Sequence, residues 1–304
     1  MQQINTNGAA TPVSLIQLND VSKLYGLGDA TTVALEEVNL TIEKGEFVAV
    51  MGPSGCGKST LMNIIGLLDQ PSHGSYGLSG RSVAKLRNTQ RAKVRRDKIG
   101  FIFQSFNLLP RLVVLENVAL PLAYRGMSQT RRLKRASMLL AQVGLQDREY
   151  YFPKQLSGGQ AQQVAIARAL INNPEIIIAD EPTGNLDSAS SRVVMELLSE
   201  IHQNGNTVLM VTHNPELTRY ATRVVYMHDG MIVHDEQKQI GTIPARAKKI
   251  IFGQHNKTEE DDLAGVSALM KTIPGKDSLK KAVKKRRTRK PAKRHTVSSR
   301  KAKK

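Results

Sequence analysis

The feature that most constrains this chain is a glycine-rich loop between an apolar strand and a helical segment. The run Gly52-Pro-Ser-Gly-Cys-Gly-Lys-Ser-Thr60 fits the pattern G-x-x-x-x-G-K-[ST] and directly follows the apolar run 46–51. Glycines allow such a loop to fold back so that its backbone N–H groups converge on phosphate oxygens, and the helix that begins near Lys58 adds the positive end of its dipole. The sequence therefore predicts a phosphate-binding loop.

Single positions of the loop have distinct predicted roles. Lys58 supplies a mobile positive charge for the β- and γ-phosphates, Ser59 offers its hydroxyl to Mg²⁺, and Thr60 helps to bind phosphate. A glycine turn that fits the pattern by chance is the alternative, and the strand before and the helix after the loop disfavour it. The residues predicted to contact the nucleotide are Gly52, Pro53, Ser54, Gly55, Cys56, Gly57, Lys58, Ser59 and Thr60.

A pair of acidic residues, Asp180 and Glu181, follows the apolar run 176–179. An acid at the end of a buried strand can hold Mg²⁺ directly or through water, and the next acid can polarise the attacking water as a general base. Two acids after a strand are by themselves more often the start of a helix. The catalytic interpretation of Asp180 and Glu181 therefore depends on their pairing with the phosphate loop.

The organisation of the chain indicates one α/β domain with appendages. Continuous apolar strands predict a sheet covered on both faces, and a helix-rich stretch at about 113–172 interrupts it. We predict an N-terminal segment at 1–12, the domain at 13–240, and a basic C-terminal extension at 241–304 that is disordered in isolation. The predicted strands are 46–51, 99–103, 176–179 and 207–212.

The distribution of charge and the cysteine content bear on the cellular compartment and on the partners of the chain. The extension 241–304 holds 20 Lys and Arg against 5 Asp and Glu, which is +15 of the total net charge of +18. The single cysteine, Cys56, excludes an internal disulfide and a Cys-based zinc site, which fits a reducing compartment. We expect no signal peptide and no membrane-spanning run, so that any membrane role is supplied by a partner.

A third motif is more selective than the first two. Leu156-Ser-Gly-Gly-Gln160 precedes the helical run 161–170, and it resembles the signature sequence of the ATP-binding cassette family. Ser157 and the glycines Gly158 and Gly159 open a helix whose N–H groups no bulky side chain covers. The resemblance implies that Ser157 to Gln160 meet the γ-phosphate of ATP held by the other cassette. Taken alone, the motif also fits an ordinary Ser-capped helix start.

Further positions match the same family one by one. The resemblance implies that Gln104 senses Mg²⁺ and the attacking water, that Asn185-Leu-Asp187 crosses between cassettes, and that His213 contacts the γ-phosphate. It also implies that Tyr25 stacks on adenine. As isolated residues, His213 and Tyr25 would more often be structural or surface residues, so their order within the full set carries the functional interpretation.

The resemblance implies a fold and a ligand set. The fold is α/β: a RecA-like P-loop NTPase core with an antiparallel β subdomain and a helical signature subdomain at about 106–172. The ligands are ATP and Mg²⁺. Glu181, His213 and Gln104 are the implied catalytic residues, and the implied Mg²⁺ ligands are Ser59, Gln104 and Asp180.

Three stretches, 51–55, 61–69 and 103–110, are most similar to the subfamily that serves macrolide export (MacB-like) and lipoprotein release (LolD-like). The implied partners are a second cassette, in a homodimer, and a separate permease docked near Phe106 to Pro110, with an adaptor outside the membrane. The implied location is the cytoplasmic face of the cell membrane, where force passes through the permease by mechanotransmission. One departure is Gln163, where the family usually has Arg.

The basic extension leaves alternatives open. It is a solvated appendage, a contact for anionic lipid or, least favoured, a nucleic-acid contact. The alternative function for the whole chain is a non-transport cassette ATPase acting on nucleic acid or ribosomes. One cassette, no long heptad insertion and no zinc cysteines argue against that alternative.

Overall fold

The computed structural model of the protein describes residues 14–26 and 31–238. The predicted N-terminal segment and the predicted disorder and lipid contact of the extension 241–304 lie outside the described residues. The strands are β1 (Ser14–Tyr25), β2 (Thr32–Glu43), β3 (Phe47–Met51), β4 (His73–Leu78), β5 (Arg81–Ser82), β6 (Ile99–Ile102), β7 (Ile176–Asp180), β8 (Thr207–Val211), β9 (Arg223–His228) and β10 (Met231–Gln237). The α-helices are α1 (Lys58–Ile65), α2 (Asn88–Lys98), α3 (Val114–Tyr124), α4 (Gln129–Gln142), α5 (Gly158–Leu170) and α6 (Ser188–Gln203).

A six-stranded sheet in the order β10-β9-β3-β8-β7-β6 forms the core. All its neighbouring strands are parallel except the edge pair β9 and β10. The four predicted apolar strands correspond to β3, β6, β7 and β8, within two residues at every boundary. The prediction of a mostly parallel P-loop core is confirmed.

Strand β3 shows why both faces of this sheet are covered. All five of its residues are buried. Because side chains alternate along a strand, Phe47, Ala49 and Met51 pack with helices α3 to α6. Val48 and Val50 pack on the opposite face with α1, β1 and β2. A continuous apolar run therefore serves two separate hydrophobic cores.

A second sheet, antiparallel, has the order β2-β1-β4-β5 and confirms the predicted β subdomain. One hydrogen bond joins it to the helix after the phosphate loop. The buried Tyr76 hydroxyl of β4 donates to the carbonyl oxygen of Ile65 at 2.7 Å, at the end of α1. Burial raises the pKa of Tyr76, so the hydroxyl stays protonated as a donor.

The helical subdomain is built from α3, α4 and α5, which pack on one another. Its entry loop is held by the buried side chain of Asn117. The Asn117 amide donates to the carbonyl oxygens of Leu109 and Leu112 at 3.1 and 3.0 Å and accepts from the Leu109 N–H at 2.7 Å. Among the described residues, no helix combines the length and the apolar character that crossing a membrane requires.

Replacing Tyr76 with Phe should lower the free energy of unfolding by about 1–3 kcal/mol, because the Ile65 carbonyl loses a buried donor. Chemical denaturation followed by circular dichroism measures the change. The control is Tyr150→Phe, since Tyr150 is 63% exposed. Equal stability of the two variants would contradict the assigned role of the Tyr76 hydroxyl.

Candidate active site

The phosphate loop runs from the end of β3 to the start of α1, as the sequence predicts. Two of its glycines lie where a side chain has no room. A Cβ at Gly57, whose φ is +97°, would lie 2.5 Å from the carbonyl oxygen of Ala34 in β2. A Cβ at Gly52 would lie 2.3 Å from the carbonyl oxygen of Met227 in β9. The loop therefore needs glycine because backbone from both sheets lies directly against it.

Lys58 is buried inside this loop. Its Nζ donates to the carbonyl oxygens of Gly52 at 2.9 Å and Pro53 at 2.7 Å. These two bonds hold the ammonium over the concave side of the loop. The position is suited to pairing with phosphate oxygens, because Lys58 lines the cavity beside the loop.

A cavity of about 370 Å³ opens at the carboxyl ends of the central strands. It brings together predicted residues from four separate stretches of the chain: the phosphate loop, the end of β6, the end of β7 and the end of β8. The lining residues are Ala34, Ser54, Gly55, Gly57, Lys58, Ser59, Thr60, Gln104, Asp180, Glu181, Val211 and His213. Ligands of parallel α/β sheets bind at this edge.

The acidic pair lies at the end of β7. Burial, and next the charge of Glu181, raise the pKa of Asp180, while Lys58 acts in the opposite direction. The carboxylate of Asp180, the hydroxyl of Ser59 and the amide oxygen of Gln104 are hard oxygen donors on one cavity. This set fits Mg²⁺, whose charge would offset the repulsion between the two neighbouring carboxylates.

An unusual backbone conformation sets the direction of the Glu181 side chain. Its φ is +45°, in the left-handed region, and its N–H donates to the carbonyl oxygen of Val211 at 2.9 Å. Its Oε1 lies 2.6 Å from Nδ1 of His213, which is itself largely exposed. A carboxylate in contact with a ring nitrogen at the mouth of a cavity can exchange or orient a proton there.

Gln104 is fixed by the segment that follows the acidic pair. The Asn185 amide donates to the Gln104 carbonyl oxygen at 3.1 Å, and the Gln104 amide donates to Asn185 Oδ1 at 3.4 Å. A Cβ at Gly184 would lie 2.6 Å from Gln104 Nε2. The predicted crossing segment 185–187 is therefore in direct contact with the predicted sensor of the cavity.

The signature motif begins α5 but does not line the cavity of its own chain. Ser157 Oγ accepts from the Gln160 N–H at 3.2 Å, and Gln160 Oε1 accepts from the Ser157 N–H at 3.0 Å, which completes a capping box. A Cβ at Gly159 would lie 2.8 Å from Ser190 Oγ, so α6 packs against this helix start. Ser157, Gly158, Gly159 and Gln160 are absent from the cavity lining.

Tyr25, Gly52, Pro53 and Cys56 also lie outside the cavity lining. The Tyr25 hydroxyl donates to Asp69 Oδ2 at 2.9 Å, and Lys23 Nζ lies 4.8 Å from the centre of its ring. The ring is 42% exposed and lies close to Thr60 at the end of the phosphate loop. Tyr25 therefore lies beside the phosphate loop and is partly exposed, which suits stacking on a base.

Two residues of α5 that the sequence did not single out bind backbone carbonyl oxygens on either side of Gln104 and after Glu181. Arg168 donates to the carbonyl oxygens of Phe106, at 2.8 Å, and Asn107, and both residues have left-handed backbone with φ of 58° and 50°. Gln162 donates to the carbonyl oxygens of Pro182 at 2.6 Å and Phe103 at 3.4 Å. Their partners lie 20–62 residues away in the chain, so no local pattern indicated the contacts.

Gln163, which stands where the family usually has Arg, also has a structural role. Its Nε2 donates to the carbonyl oxygen of Val143, at the end of α4, at 3.2 Å. The neutral Gln163 amide binds a carbonyl oxygen at the end of α4, where the side chain of Lys or Arg can also form a hydrogen bond. Gln163 therefore connects α5 to the end of α4 through a neutral side chain.

Replacing Arg168 with Gln should lower the free energy of unfolding by about 2 kcal/mol, since two carbonyl oxygens lose a charged donor. It should also speed hydrogen exchange at Phe106 and Asn107, whose left-handed backbone loses its support. Exchange measured by mass spectrometry checks this, with Arg192→Gln on the exposed side of α6 as control. Unchanged exchange in the Arg168 variant would contradict the role.

Comparisons with known proteins agree with this geometry. A family model described as "ABC transporter" matches residues 35–184. The chain is 50% identical over 226 residues to the uncharacterized ABC transporter ATP-binding protein YvrO of Bacillus subtilis, covering 74% of this chain and 99% of that protein. It is 51% identical over 227 residues to the macrolide export ATP-binding/permease protein MacB of Bdellovibrio bacteriovorus, covering 74% of this chain but 34% of that protein.

Among solved structures, the chain is similar to a dimeric post-hydrolysis state of the ATP-binding cassette MJ0796 bound to ADP and Pi. The TM-score is 0.68 at 46% identity, and the match covers 73% of this chain and 98% of that one.

Proposed function

Because the chain belongs to the ABC transporter family and is an ATPase of that family, we propose that two copies close on two ATP molecules and drive a separate membrane permease. One observation carries the proposal. The phosphate loop, the acidic pair, Gln104 and His213 share a cavity, while the signature residues 157–160 lie outside it. A helix start that does not serve its own cavity is available to the cavity of a second copy, and the solved relative is a dimer.

The proposed chemistry follows from the placement of the side chains. The loop N–H groups and Lys58 bind the phosphates, and Tyr25 stacks on the base. Glu181 takes a proton from water as its oxygen attacks the γ-phosphorus. The bond from that phosphorus to the β–γ bridging oxygen breaks, which yields ADP and inorganic phosphate, and His213 contacts the γ-phosphate. Mg²⁺ held by Ser59, Gln104 and Asp180 would neutralise charge on the phosphates.

We assign the chain to a transporter of the MacB and lipoprotein-release type, on the cytoplasmic face of the membrane, with an adaptor outside it. A separate permease is supported by YvrO, because this chain covers 99% of that ATP-binding protein. MacB is named as an ATP-binding protein and a permease in one, and the chain matches about a third of it. These relatives favour the transporter function over action on nucleic acid.

The permease is proposed to dock on residues 106–110, where Leu109 is 44% exposed. Force on this segment would reach α5 through Arg168, which binds the carbonyl oxygens of Phe106 and Asn107. From α5 it would reach the residue after Glu181, because Gln162 donates to the carbonyl oxygen of Pro182. The permease contact is thereby linked to both the signature and the general base.

Replacing Glu181 with Gln should leave ATP binding intact and lower kcat by about 100-fold or more, because a neutral amide cannot accept the proton of the attacking water. Phosphate release and nucleotide binding are measured separately on the same preparation. The matched control is Glu196→Gln, on the exposed side of α6. Hydrolysis at the wild-type rate by the Glu181 variant would show that another group is the base.

The contact of the signature with a second copy is tested by a pair of variants at Ser157. Both Ser157→Asp and Ser157→Asn keep an oxygen that can accept from the Gln160 N–H, so the helix start is preserved. Only the Asp variant places a negative charge opposite the γ-phosphate. In the Glu181→Gln background, the Asn variant should dimerise with ATP, as measured by light scattering, while the Asp variant should remain monomeric but still bind ATP.

Equal dimerisation of the Asp and Asn variants would contradict a signature that faces the phosphate of the other copy. Loss of ATP binding in either variant would place Ser157 in its own chain's site instead.

A further inference from the structure

The charge of the cassette is unevenly distributed. Residues 1–240 contain 24 Lys and Arg and 21 Asp and Glu, so the domain is nearly neutral as a whole. Two segments, 81–98 and 125–135, hold 13 of those basic residues and a single acid, Asp97. The rest of the domain therefore contains more Asp and Glu than Lys and Arg, while the two basic segments have a high local positive charge.

The structure brings the two segments together at Asp97. Arg96 and Arg125 both donate to Asp97 Oδ1, at 2.8 and 2.9 Å, and Arg96 also donates to the carbonyl oxygen of Tyr124 at 3.0 Å. The hydrogen bond from Arg96 holds the pKa of Asp97 at about 2. Arg135 lies close enough for the charge of Arg125 to lower its pKa, after the larger effect of burial. One carboxylate thus serves two guanidinium groups, and that of Arg135 lies nearby.

Further basic side chains lie near this cluster on α2 and α4. Helix α2 has no buried residue, and its exposed Lys93 lies one turn before Arg96. On α4, Arg131 lies one turn before Arg135 on the outward side. Within residues 14–26 and 31–238, neither Lys93 nor Arg131 has an ion pair with a carboxylate. We define the basic face as Lys93, Arg96, Tyr124, Arg125, Arg131 and Arg135.

Helix stability explains part of this charge. Arg95, Arg96 and Lys98 lie in the last turn of α2, where cations interact favourably with the helix dipole. That accounts for three of the basic residues and none of those on α4, where Arg131 lies in the first turn, the end that cations destabilise. Arg135 has a partner inside the chain, because it donates to Asn173 Oδ1 at 2.7 Å. The helix dipole and this bond leave Lys93 and Arg131 unexplained, and a partner outside the chain would account for them.

The exposed aromatic residue of the basic face indicates what that partner is. Tyr124 is 70% exposed, and Met138, which lies two turns after Arg131, is 57% exposed. Basic side chains interleaved with an exposed Tyr and an exposed apolar residue are the composition of surfaces that lie in a lipid headgroup region. Helix α3, about 16 Å long at 1.5 Å per residue, joins the segment proposed to dock the permease to Arg125. Arg125 therefore lies about one helix length from that docking segment.

We infer that the basic face contacts the anionic phospholipid headgroups of the membrane in which the permease lies. The inference rests on the proposed function, because the permease is what brings the cassette to the membrane. It is distinct from the lipid contact predicted for the extension 241–304, since every residue of the basic face belongs to the cassette. The contact would orient the cassette beside its permease and make that orientation sensitive to anionic lipid content and ionic strength.

The absence of tryptophan from the sequence allows a local test on the full-length chain. The variant Tyr124→Trp places one fluorophore on the basic face and leaves the backbone carbonyl that binds Arg96 in place. Vesicles of phosphatidylglycerol with brominated acyl chains should quench its emission at least two-fold at low salt. Brominated phosphatidylcholine should not, and high salt should reverse the effect. Met231→Trp is the control, because β10 lies at the opposite edge of the sheet from β6.

Charge reversal then tests the mechanism. In the Tyr124→Trp background, Lys93→Glu with Arg131→Glu should abolish the quenching, while Lys44→Glu with Arg192→Glu, an equal change of charge at exposed residues elsewhere, should preserve it. Quenching that persists after reversal of the basic face, or that is equal at positions 124 and 231, would overturn the inference and assign membrane binding to the extension. A response at position 124 to RNA but not to vesicles would overturn it in favour of nucleic acid.

The ATPase rate of each variant in solution separates this inference from the proposed function. All four reversals lie outside the active-site cavity, so hydrolysis should be unchanged. An intact rate without quenching rejects the lipid contact alone. A wild-type chain without ATPase activity rejects the proposed function itself.

Discussion

The structure depends on the close approach of three backbone segments at the phosphate loop. Gly57 lies against Ala34 of the antiparallel sheet and Gly52 against Met227 of the central sheet. The turn between β9 and β10 completes the junction, because the Gly230 N–H donates to the carbonyl oxygen of Cys56 at 3.1 Å. No side chain fits at Gly52 or Gly57 without displacing one of the sheets. The loop that binds phosphate is thus also the point where the two sheets meet.

Helix α5 makes the second set of connections. Its first turn carries the signature, its middle carries Gln162 against the residue after the proposed general base, and its last turn carries Arg168 against the segment after Gln104. A helix transmits displacement along its axis because its hydrogen bonds lie parallel to that axis. Movement of the segment 106–110 and movement of the signature are therefore expected to be coupled. The unusual backbone of Phe106, Asn107 and Glu181 lies at the ends of these contacts, where the surrounding bonds support the strain.

The uneven distribution of charge within residues 1–240 is not visible in their composition. The near-neutral total of residues 1–240 is the sum of a strongly basic surface and an acidic remainder. Electrostatic attraction falls off within about 8 Å at physiological salt, so local charge density decides which surface meets an anionic partner. The arrangement around Asp97 is an example, because two arginines from separate segments share one carboxylate.

The sequence by itself determined the phosphate loop, the acid-tipped strand, the capped signature helix and the four buried strands. Each is a local pattern whose physical cause lies within a few neighbouring residues: a glycine conformation, a continuous apolar run or a capping hydroxyl. Such patterns did not set the bounds of the antiparallel strands, because burial along an antiparallel strand depends on its partners. These strands are β1, β2, β4, β5, β9 and β10. Only the tertiary structure decided that Arg168 holds the segment after Gln104, that Tyr25 bonds to Asp69, and that Arg96 and Arg125 share Asp97. Those contacts join residues that are often dozens of positions apart, and packing of the two sheets and the helical subdomain is what brings them together.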